Sequence, residues 1–273
     1  MNRGHAVADT LTLLRRDLRH GIRNPAMTLS GILVPVLVML LFAGVLGGAL
    51  ASGTGAVTGG ADYLAYLTPG IVLMAVGSGV ATTAVGVSLD KGEGMHSRLR
   101  TMAVGAGPVL AGRALGSVLR TLVSALLVLV VAVALGYRPQ GGVAGGLGAL
   151  ALLLVVTVAT TWLGVGIGLL AASPQTANAL SLPAQFLPFV SSAFVPTATM
   201  SAGVQWFATH QPYTPLIETL RSLLDSGTLG DRWPAALAWC LAIGVCSVLW
   251  AVRLYGRDPS PRTGTVGTLL SSS

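Results

Sequence analysis

Charged side chains are scarce in this chain. They make up 9% of its 273 residues, and hydrophobic residues make up 53%, whereas an ordinary soluble domain carries about a quarter charged residues. Four long stretches contain no charged residue: 24–61, 63–89, 139–217 and 233–252. Because apolar runs of more than about 18 residues are typical of membrane spans, the composition argues against a soluble protein.

Cysteine and lysine are also rare, and their scarcity excludes several kinds of site. Cys240 and Cys246 are the only cysteines, and a spacing of six places them on different faces of one apolar helix, which excludes a disulfide framework or a cysteine-built metal site. Lys91 is the only lysine and is followed by Gly92, so the chain has no Walker sequence for binding ATP. With no His-Glu-x-x-His sequence either, we expect no catalytic residue, metal site or bound cofactor in this chain.

The apolar runs predict an all-α polytopic fold with six transmembrane helices. At about 20 residues per crossing, the spans are predicted at about 29–50, 67–89, 109–135, 146–172, 180–198 and 233–252. The first run follows arginines, as a secretory signal does. It is longer than the 7 to 15 residues typical of a signal h-region, which favours an uncleaved first span.

The basic residues predict that both termini are cytosolic. With that orientation, twelve of the sixteen Lys and Arg residues lie in inner segments, Arg120 lies within the third span, and only Arg138, Arg221 and Arg232 lie outside. This is the positive-inside bias of membrane proteins, so the net charge of +7 needs no nucleic-acid partner. We therefore predict a cytosolic leader at 1–28, a transmembrane domain at 29–252 and a cytosolic tail at 253–273. The preference for Arg, Gly, Ala and Val indicates a GC-rich bacterial genome, and hence the bacterial inner (plasma) membrane.

The leader carries an amphipathic pattern. One face of a helix over residues 11–23 would be apolar and the other basic, which is typical of a helix lying along the membrane surface. We predict an elbow helix that either anchors the chain to lipid or also touches a partner. The apolar face holds Leu11, Leu14, Leu18 and Ile22, and the basic residues are Arg15, Arg16, Arg19 and Arg23.

Residues 90–102 form the densest polar cluster between predicted spans. The segment is short, charged and able to form a helix. Within it Met95, Leu99 and Met102 recur at spacings of four and three, which predicts an apolar stripe. We expect this stripe either to dock on a partner or to be buried against the bilayer or the chain's own helices.

Two arginines lie in or near the third predicted span. Arg113 and Arg120 are seven residues apart, so they share one helix face about 10 Å apart along the axis. Arg113 can snorkel to the cytosolic interface. Arg120 lies deeper, where an unpaired charge is costly; it is expected to form an ion pair, to snorkel, or to line a transport path.

The longest predicted loop, 200–231, is too apolar for a solvated connector. Pro212 and Pro215 would interrupt two short helices, and Glu218 is spaced to pair with Arg221. A re-entrant helical hairpin at about 200–224, dipping from the outside, would bury the apolar residues. It would serve either as a surface cap or as an outer gate. The large apolar residues are Trp206, Phe207, Tyr213, Leu216 and Leu220.

Short motifs in a fixed order resemble a known family. They are Tyr66-Leu67-Thr68-Pro69-Gly70, Glu93-Gly94 followed by Arg98-Leu99, Gln205-Trp206-Phe207, His210-Gln211-Pro212, and Glu218 through Arg221. In this order the chain, from about Leu11 to Tyr255, resembles an ABC transporter permease of type 2, most nearly the daunorubicin-resistance exporter permeases. It departs from the family pattern at Lys91-Gly92, where an acidic-basic run is usual, and in lacking Asn before Pro212.

The resemblance implies roles for individual residues. It places Glu93, Gly94, Arg98 and Leu99, with Met102 of the apolar stripe, in a helix that couples the permease to its ATPase. It places Pro212, Glu218 and Arg221 in the outer re-entrant cap, which Trp206 and Phe207 precede.

The resemblance also implies the partners and the activity. The complex is expected to hold two cytosolic ABC ATPase subunits, which bind ATP and Mg, and a second permease half, identical or related, among membrane lipids. The expected activity is export of a drug, antibiotic, lipid or glycan by a chain that is not itself an enzyme, and the lack of fixed charge favours a hydrophobic or amphiphilic cargo. The alternatives are a membrane-embedded enzyme using Glu218, Arg221 and His210, or a passive channel or scaffold.

Overall fold

The computed structural model describes residues 25–46, 60–92 and 106–257. Within those ranges the chain is all-helical, with eight α-helices and no strand. The helices are α1 (Pro25–Leu41, continued by a π-helical turn Phe42–Leu46), α2 (Gly60–Gly92), α3 (Ala106–Ala134), α4 (Gly142–Leu170), α5 (Pro174–Phe186), α6 (Ala202–His210), α7 (Tyr213–Ser226) and α8 (Trp233–Arg257). Short 3-10 helices at Leu187–Val190 and Thr197–Thr199 connect α5 to α6.

Four helices in the described part of the chain are long and apolar enough to cross a membrane. They cover Tyr63–Gly92, Gly112–Ala134, Gly142–Leu170 and Trp233–Tyr255, which confirms apolar helices at the second, third, fourth and sixth predicted spans. The first predicted span, 29–50, overlaps α1 and its π-helical turn. A shorter apolar helix, Leu33–Gly44, lies there, and residues 47–50 lie outside the described ranges.

The predicted fifth span at 180–198 is wrong in its bounds. Helix α5 begins at Pro174, because the side chain of Ser173 caps it by accepting a hydrogen bond from the Thr176 amide at 3.2 Å. It ends at Phe186, because Pro188 has no N–H to continue the helical bonding, and the chain tightens into the 3-10 helix Leu187–Val190. The segment is therefore a broken helix that starts earlier than predicted.

Helix α2 lies at the centre of the bundle. Its apolar window is 72% buried, whereas that of α8 is 22% buried, because α2 packs against α1, α3, α4, α5 and α7 while α8 packs mainly against α4. Fully buried Leu67, Ile71 and Leu73 of α2 contribute to the main hydrophobic core. Any displacement of α2 therefore acts on most of the other helices.

Glycines let α4 approach α2 closely. A Cβ atom on Gly164 would lie 2.7 Å from the backbone oxygen of Val80, and one on Gly168 would lie 2.5 Å from that of Ala84. Gly164 and Gly168 are four residues apart, a small-residue spacing that allows two helices to approach closely. Gly44, by contrast, has open space within 4 Å of where a Cβ atom would be, and Gly48 lies outside the described residues.

The helix directions define two ends of the bundle. We call the Lys91 end the one where α2 finishes and α3 begins, and the Tyr137 end the one where α3 finishes and α4 begins. Helix α8 runs parallel to α4, since Gly244 lies beside Ala159 and Trp250 beside Gly166. Both α4 and α8 therefore finish at the Lys91 end.

Candidate functional site

Helices α6 and α7 form a hairpin that reaches from the Tyr137 end to the middle of the bundle. At its tip, the hydroxyl of Tyr213 lies 3.1 Å from where a Cβ atom of Gly77 would be, and Gly77 is near the midpoint of α2. At the other end of α7, the Gly141 amide donates to the Leu224 carbonyl at 2.8 Å. The two short helices predicted at about 200–224 are therefore present.

The prolines of the hairpin do not both break it. Pro212 lies between the two helices as the N-cap residue of α7, as predicted. Pro215 lies within the first turn of α7, where the missing N–H would have no helical partner in any case. The prediction that Pro215 also interrupts the helices is therefore wrong.

Two side chains at the tip donate hydrogen bonds to backbone carbonyls that lack a helical donor because of a proline. Pro188 cannot donate to the Ala184 carbonyl, and the hydroxyl of Tyr213 donates to it at 2.8 Å. Pro212 likewise leaves the Ala208 carbonyl without its helical donor, and Thr214 Oγ1 donates to it at 2.5 Å. The tip and the broken end of α5 therefore depend on each other.

Gln211 adds a third contact at the tip. Its Nε2 donates to the backbone oxygen of Val190 at 2.6 Å, at the end of the 3-10 helix that follows α5. Local sequence patterns miss these contacts, although the density of prolines in 183–215 marks where backbone carbonyls lose their donors.

Arg221 joins the hairpin to α2. Its Nη2 atom donates to the carbonyl oxygens of Tyr66 at 3.1 Å and Ser192 at 3.0 Å. Its Cζ atom also lies 3.9 Å from the centre of the Tyr66 ring, within the range of a cation–π contact. Three segments distant in the sequence meet at this guanidinium.

The predicted ion pair between Glu218 and Arg221 does not form in the described structure. Glu218 Oε2 instead lies 3.4 Å from Arg232 Nε, and the Arg232 side chain is 58% exposed. An exposed pair of this kind contributes little to stability. The i to i+3 spacing allowed the predicted pair. The Arg221 guanidinium instead bonds to backbone carbonyls of α2 and of the turn after α5, and so points away from Glu218.

Tyr137 contacts the end of α7 that lies at the Tyr137 end of the bundle. Its hydroxyl donates to Asp225 Oδ1 at 2.8 Å. Burial, together with this hydrogen bond, raises the pKa of Tyr137 above its ordinary value. The phenol therefore stays protonated, and remains a donor, throughout the physiological pH range.

The large apolar residues of the hairpin divide into two sets. Tyr213, Leu216 and Leu220 of α7 are buried in the bundle. Trp206 and Phe207 of α6 are exposed, at 65% and 44%. In the isolated chain, α6 thus presents an aromatic surface away from the bundle.

The Lys91 end carries an ion pair between α2 and α3. Arg113 pairs with Asp90, and their side chains are 23% and 21% exposed. The guanidinium of Arg113 also occupies the space beside Gly86. Arg113 thus forms a partly buried pair, whose acidic partner the sequence shows at the end of the preceding span. The expectation that Arg113 snorkels to the cytosolic interface stays a prediction.

Lys91 ties α2 to a third helix. Its Nζ atom donates to the backbone oxygen of Leu169 at 2.9 Å, one of the last carbonyls of α4, which have no partner within the helix. Three charged side chains, Asp90, Lys91 and Arg113, therefore link α2 to α3 and α4 at this end of the bundle.

Arg120 lies deeper along α3. Its Nη2 atom donates to the hydroxyl of buried Ser117 at 3.1 Å, one turn closer to the Lys91 end. The side chain is half-buried.

Two predicted sites fall outside the described residues. They are the coupling residues Glu93, Gly94, Arg98, Leu99 and Met102, and the elbow residues Arg15, Arg16, Leu18 and Arg19. Their roles remain predictions.

One face of the bundle differs from the others in polarity. In 112–134 and 142–170, the exposed positions of α3 and α4 are all apolar or glycine, as hydrocarbon requires. By contrast α5, which packs beside α2, carries Asn178 at an exposed position and Gln185 at a half-buried one. The half-buried Ser78 and Thr82 of α2 donate to carbonyls of their own helix. A side-chain amide that faces lipid has no water to bond to, so this α2/α5 face is suited to protein or a water-filled path.

A chain of phenylalanine rings begins on α5 beside this face. The ring centres of Phe186 and Phe189 are 5.9 Å apart, those of Phe189 and Phe194 are 5.0 Å apart, and those of Phe194 and Phe42 are 4.6 Å apart. Phe186 is 60% exposed. Polar and aromatic groups thus lie close to each other on α5.

Comparison with known proteins identifies the family of this chain. The family model described as ABC-2 type transporter matches residues 8–224. The chain is similar to the daunorubicin resistance ABC transporter permease protein DrrB1 of Streptomyces coeruleorubidus, with 30% identity over 93% of this chain and 88% of that protein. It is also similar to the probable doxorubicin resistance ABC transporter permease protein DrrC of Mycobacterium tuberculosis, with 27% identity over 90% and 88% of the two chains. The chain belongs to the ABC-2 type transporter family.

Proposed function

We propose that this protein is the membrane-spanning permease of a bacterial exporter whose ATP is hydrolysed by separate ABC ATPase subunits. The observation that carries the proposal is the family match over residues 8–224, in a chain that has no Walker sequence of its own. Two ATPase chains, which bind ATP and Mg, and a second permease half, identical or related, complete the complex.

The cargo that best fits the chain is hydrophobic or amphiphilic. The relatives named above are resistance permeases for daunorubicin or doxorubicin, and the exposed end of the phenylalanine chain offers a surface for an apolar ring system. We therefore infer a drug, antibiotic or lipid as cargo, with a glycan as the alternative within the same family.

We place the Lys91 end in the cytosol and the Tyr137 end outside. The segments that adjoin the first end in the sequence hold twelve of the sixteen Lys and Arg residues, whereas the other end has Arg138, Arg221 and Arg232, which agrees with the positive-inside bias. The hairpin then enters from the outside, and its tip, beside Gly77, lies near the middle of the bilayer. This supports a re-entrant hairpin rather than a surface cap.

The broken fifth segment fits a membrane crossing in this orientation. It runs antiparallel to α2, with Ala177 packed near Ala84, Ala184 beside Gly77 and Ala193 beside Gly70. We count this segment, α1 and the four long helices as the six crossings of the proposed topology. In this orientation the end of α5 that is broken by proline lies within the bilayer. Its irregular backbone is tolerated there because side chains of the hairpin donate to its carbonyls.

We place the transport path along the α2/α5 face. The variant Asn178→Trp adds a bulky ring at an exposed position of that face, and we expect it to lower cargo transport into proteoliposomes at least about fivefold, roughly 1 kcal/mol. The matched control is Leu249→Trp, at a similar depth on the apolar surface of α8, which we expect to leave transport unchanged. Equal transport by the two variants would move the path to another face.

Coupling to the ATPase is the direct test of the proposed function. The permease is expected to co-purify with a P-loop ATPase and to stimulate ATP hydrolysis when cargo is added. The charge reversals Glu93→Arg and Arg98→Glu should abolish this stimulation and lower transport by about tenfold, since a docking contact then becomes repulsive, while basal ATP hydrolysis persists.

Four results would contradict the proposed function. Stimulation unchanged by either charge reversal would remove residues 90–102 from coupling. Stimulation by sugar polymers alone would exclude a hydrophobic cargo. Turnover of a lipid by the purified permease without any ATPase would favour the membrane-embedded enzyme, and flux independent of ATP would favour a channel.

A further inference from the structure

The position of Arg221 gives it a role beyond packing. Its guanidinium connects α7 with α2 through Tyr66 and with the turn after α5 through Ser192. The planar group bonds along its edge and stacks by its face on the Tyr66 ring, a combination that lysine cannot reproduce. At the Tyr137 end of α2, Arg221 therefore adds a polar contact to the apolar core that Leu64 and Leu67 share with Leu220 of α7.

The contacts of Arg221 are suited to being made and broken. Both hydrogen-bond acceptors are neutral carbonyls, and Glu218, the nearby carboxylate on α7, pairs with Arg232 instead. Separating a buried ion pair leaves an uncompensated charge on each side. Withdrawing a guanidinium from carbonyls leaves no opposite charge behind, so this junction opens at a lower cost.

Helix α2 has a weak point next to this junction. Pro69 lies inside α2, and its missing N–H leaves the carbonyl of Ala65 without a helical donor, which is a common cause of bending. Tyr66 belongs to the turn just before Pro69. The first turns of α2 can therefore bend away from the hairpin while the remainder of the helix stays packed.

The hairpin itself is anchored on its other side. The Gly141 amide bonds to Leu224, and Tyr137 bonds to Asp225, so the end of α7 is attached to the connection between α3 and α4. Movement at the Tyr137 end is thus concentrated between α7 and the start of α2, where Arg221 lies.

We propose that Arg221 is a latch that holds residues 60–68 of α2 against the hairpin and so keeps the Tyr137 end closed. It is a positioning residue, and its release, by bending of α2 at Pro69, opens the outer end. The proposal rests on the proposed function in one respect only, that the hairpin lies on the outer side of the permease.

Spin-label distances test the latch directly. In a Cys240→Ala, Cys246→Ser background, labels at Ala65 and Thr228 report the separation of α2 from the end of α7 in the full chain in lipid nanodiscs. We expect Arg221→Gln to raise the population with the longer distance about tenfold, since charged hydrogen bonds are lost. Arg221→Lys should give an intermediate value, and the matched control Arg138→Gln, an exposed arginine at the same end, should match the parent.

A second variant keeps the test decisive if Arg221→Gln does not fold. Tyr66→Leu removes the ring but keeps the backbone carbonyl, and should raise the same population by a smaller factor. Distances unchanged in the folded variants would overturn the latch. The distance measurement needs no ATPase and no cargo. If the distance shifts as expected but no variant, nor the parent, shows ATP-driven transport, the latch is supported and the proposed function is contradicted.

Discussion

Replacing Gly168 with alanine is expected to destabilise the folded chain by about 1–3 kcal/mol, because α2 and α4 leave no space for one methyl group. The new Cβ would lie 2.5 Å from the backbone oxygen of Ala84 and 2.6 Å from the Cβ of Val87. The helices would have to separate, and α2 would lose packing with the rest of the bundle. The double variant Gly164→Ala, Gly168→Ala should lose more stability than either single one, measured as thermal loss of monodisperse protein in detergent.

The control for this prediction lies in the same helix. A Cβ atom added to Gly146 would meet no other atom within 4 Å, so Gly146→Ala should be neutral or should stabilise α4 by up to about 1 kcal/mol, the usual preference for alanine over glycine in a helix. The same substitution is thus expected to act in opposite directions at two positions of one helix. Equal destabilisation at the two positions would show that helix contact is not the cause.

The long helices could be predicted because each depends on a short-range pattern. An apolar run of sufficient length predicted α2, α3, α4 and α8. This signal is a property of one helix and remains valid wherever the other helices lie. The contact of Gly164 and Gly168 with α2, by contrast, is set by the tertiary structure.

The fifth segment could not be placed in this way, because hydropathy does not register a lost hydrogen-bond donor. Pro183, Pro188 and Pro196 all lie within the predicted span 180–198, and the helix ends where Pro188 interrupts the bonding. Tyr213, whose hydroxyl donates to the Ala184 carbonyl at this helix end, lies 29 residues away from Ala184 in the sequence. A search for prolines in apolar runs identifies the break but not its partner.

The partners of charged residues were likewise set by tertiary structure. Local spacing suggested that Glu218 pairs with Arg221, whereas Arg221 bonds to Tyr66, 155 residues away. The pair between Asp90 and Arg113 was within reach of the sequence, since one ends α2, the other lies near the start of α3, and consecutive spans are antiparallel neighbours. The coupling and elbow roles stay predictions from the sequence.

The ion pair at the Lys91 end predicts a large single-site effect. Arg113→Met should destabilise the chain by about 3 kcal/mol, the lower end of the cost of removing one partner from a buried pair, because the pair is partly buried and Asp90 is left without its cation. Asp90→Leu should act in the same direction. Arg138→Met, at an exposed arginine that bonds only to nearby backbone oxygens, is the control and should change stability by no more than about 0.5 kcal/mol.

The double variant Asp90→Leu, Arg113→Met distinguishes the cost of an unpaired charge from the cost of losing each side chain. If the lone charge causes the loss, the double variant must be more stable than Arg113→Met alone, since replacing both partners of a buried pair by apolar groups is often close to neutral. A double-mutant cycle on thermal stability measures the difference.

The same double variant also tests coupling to the ATPase. Because the pair joins α2 and α3 on either side of 93–105, the double variant should be stable and yet lose cargo-stimulated ATP hydrolysis. Additive losses in the cycle would show that the pair does not hold these helices together, and full stimulation in the stable double variant would show that force from the ATPase reaches α2 by another route.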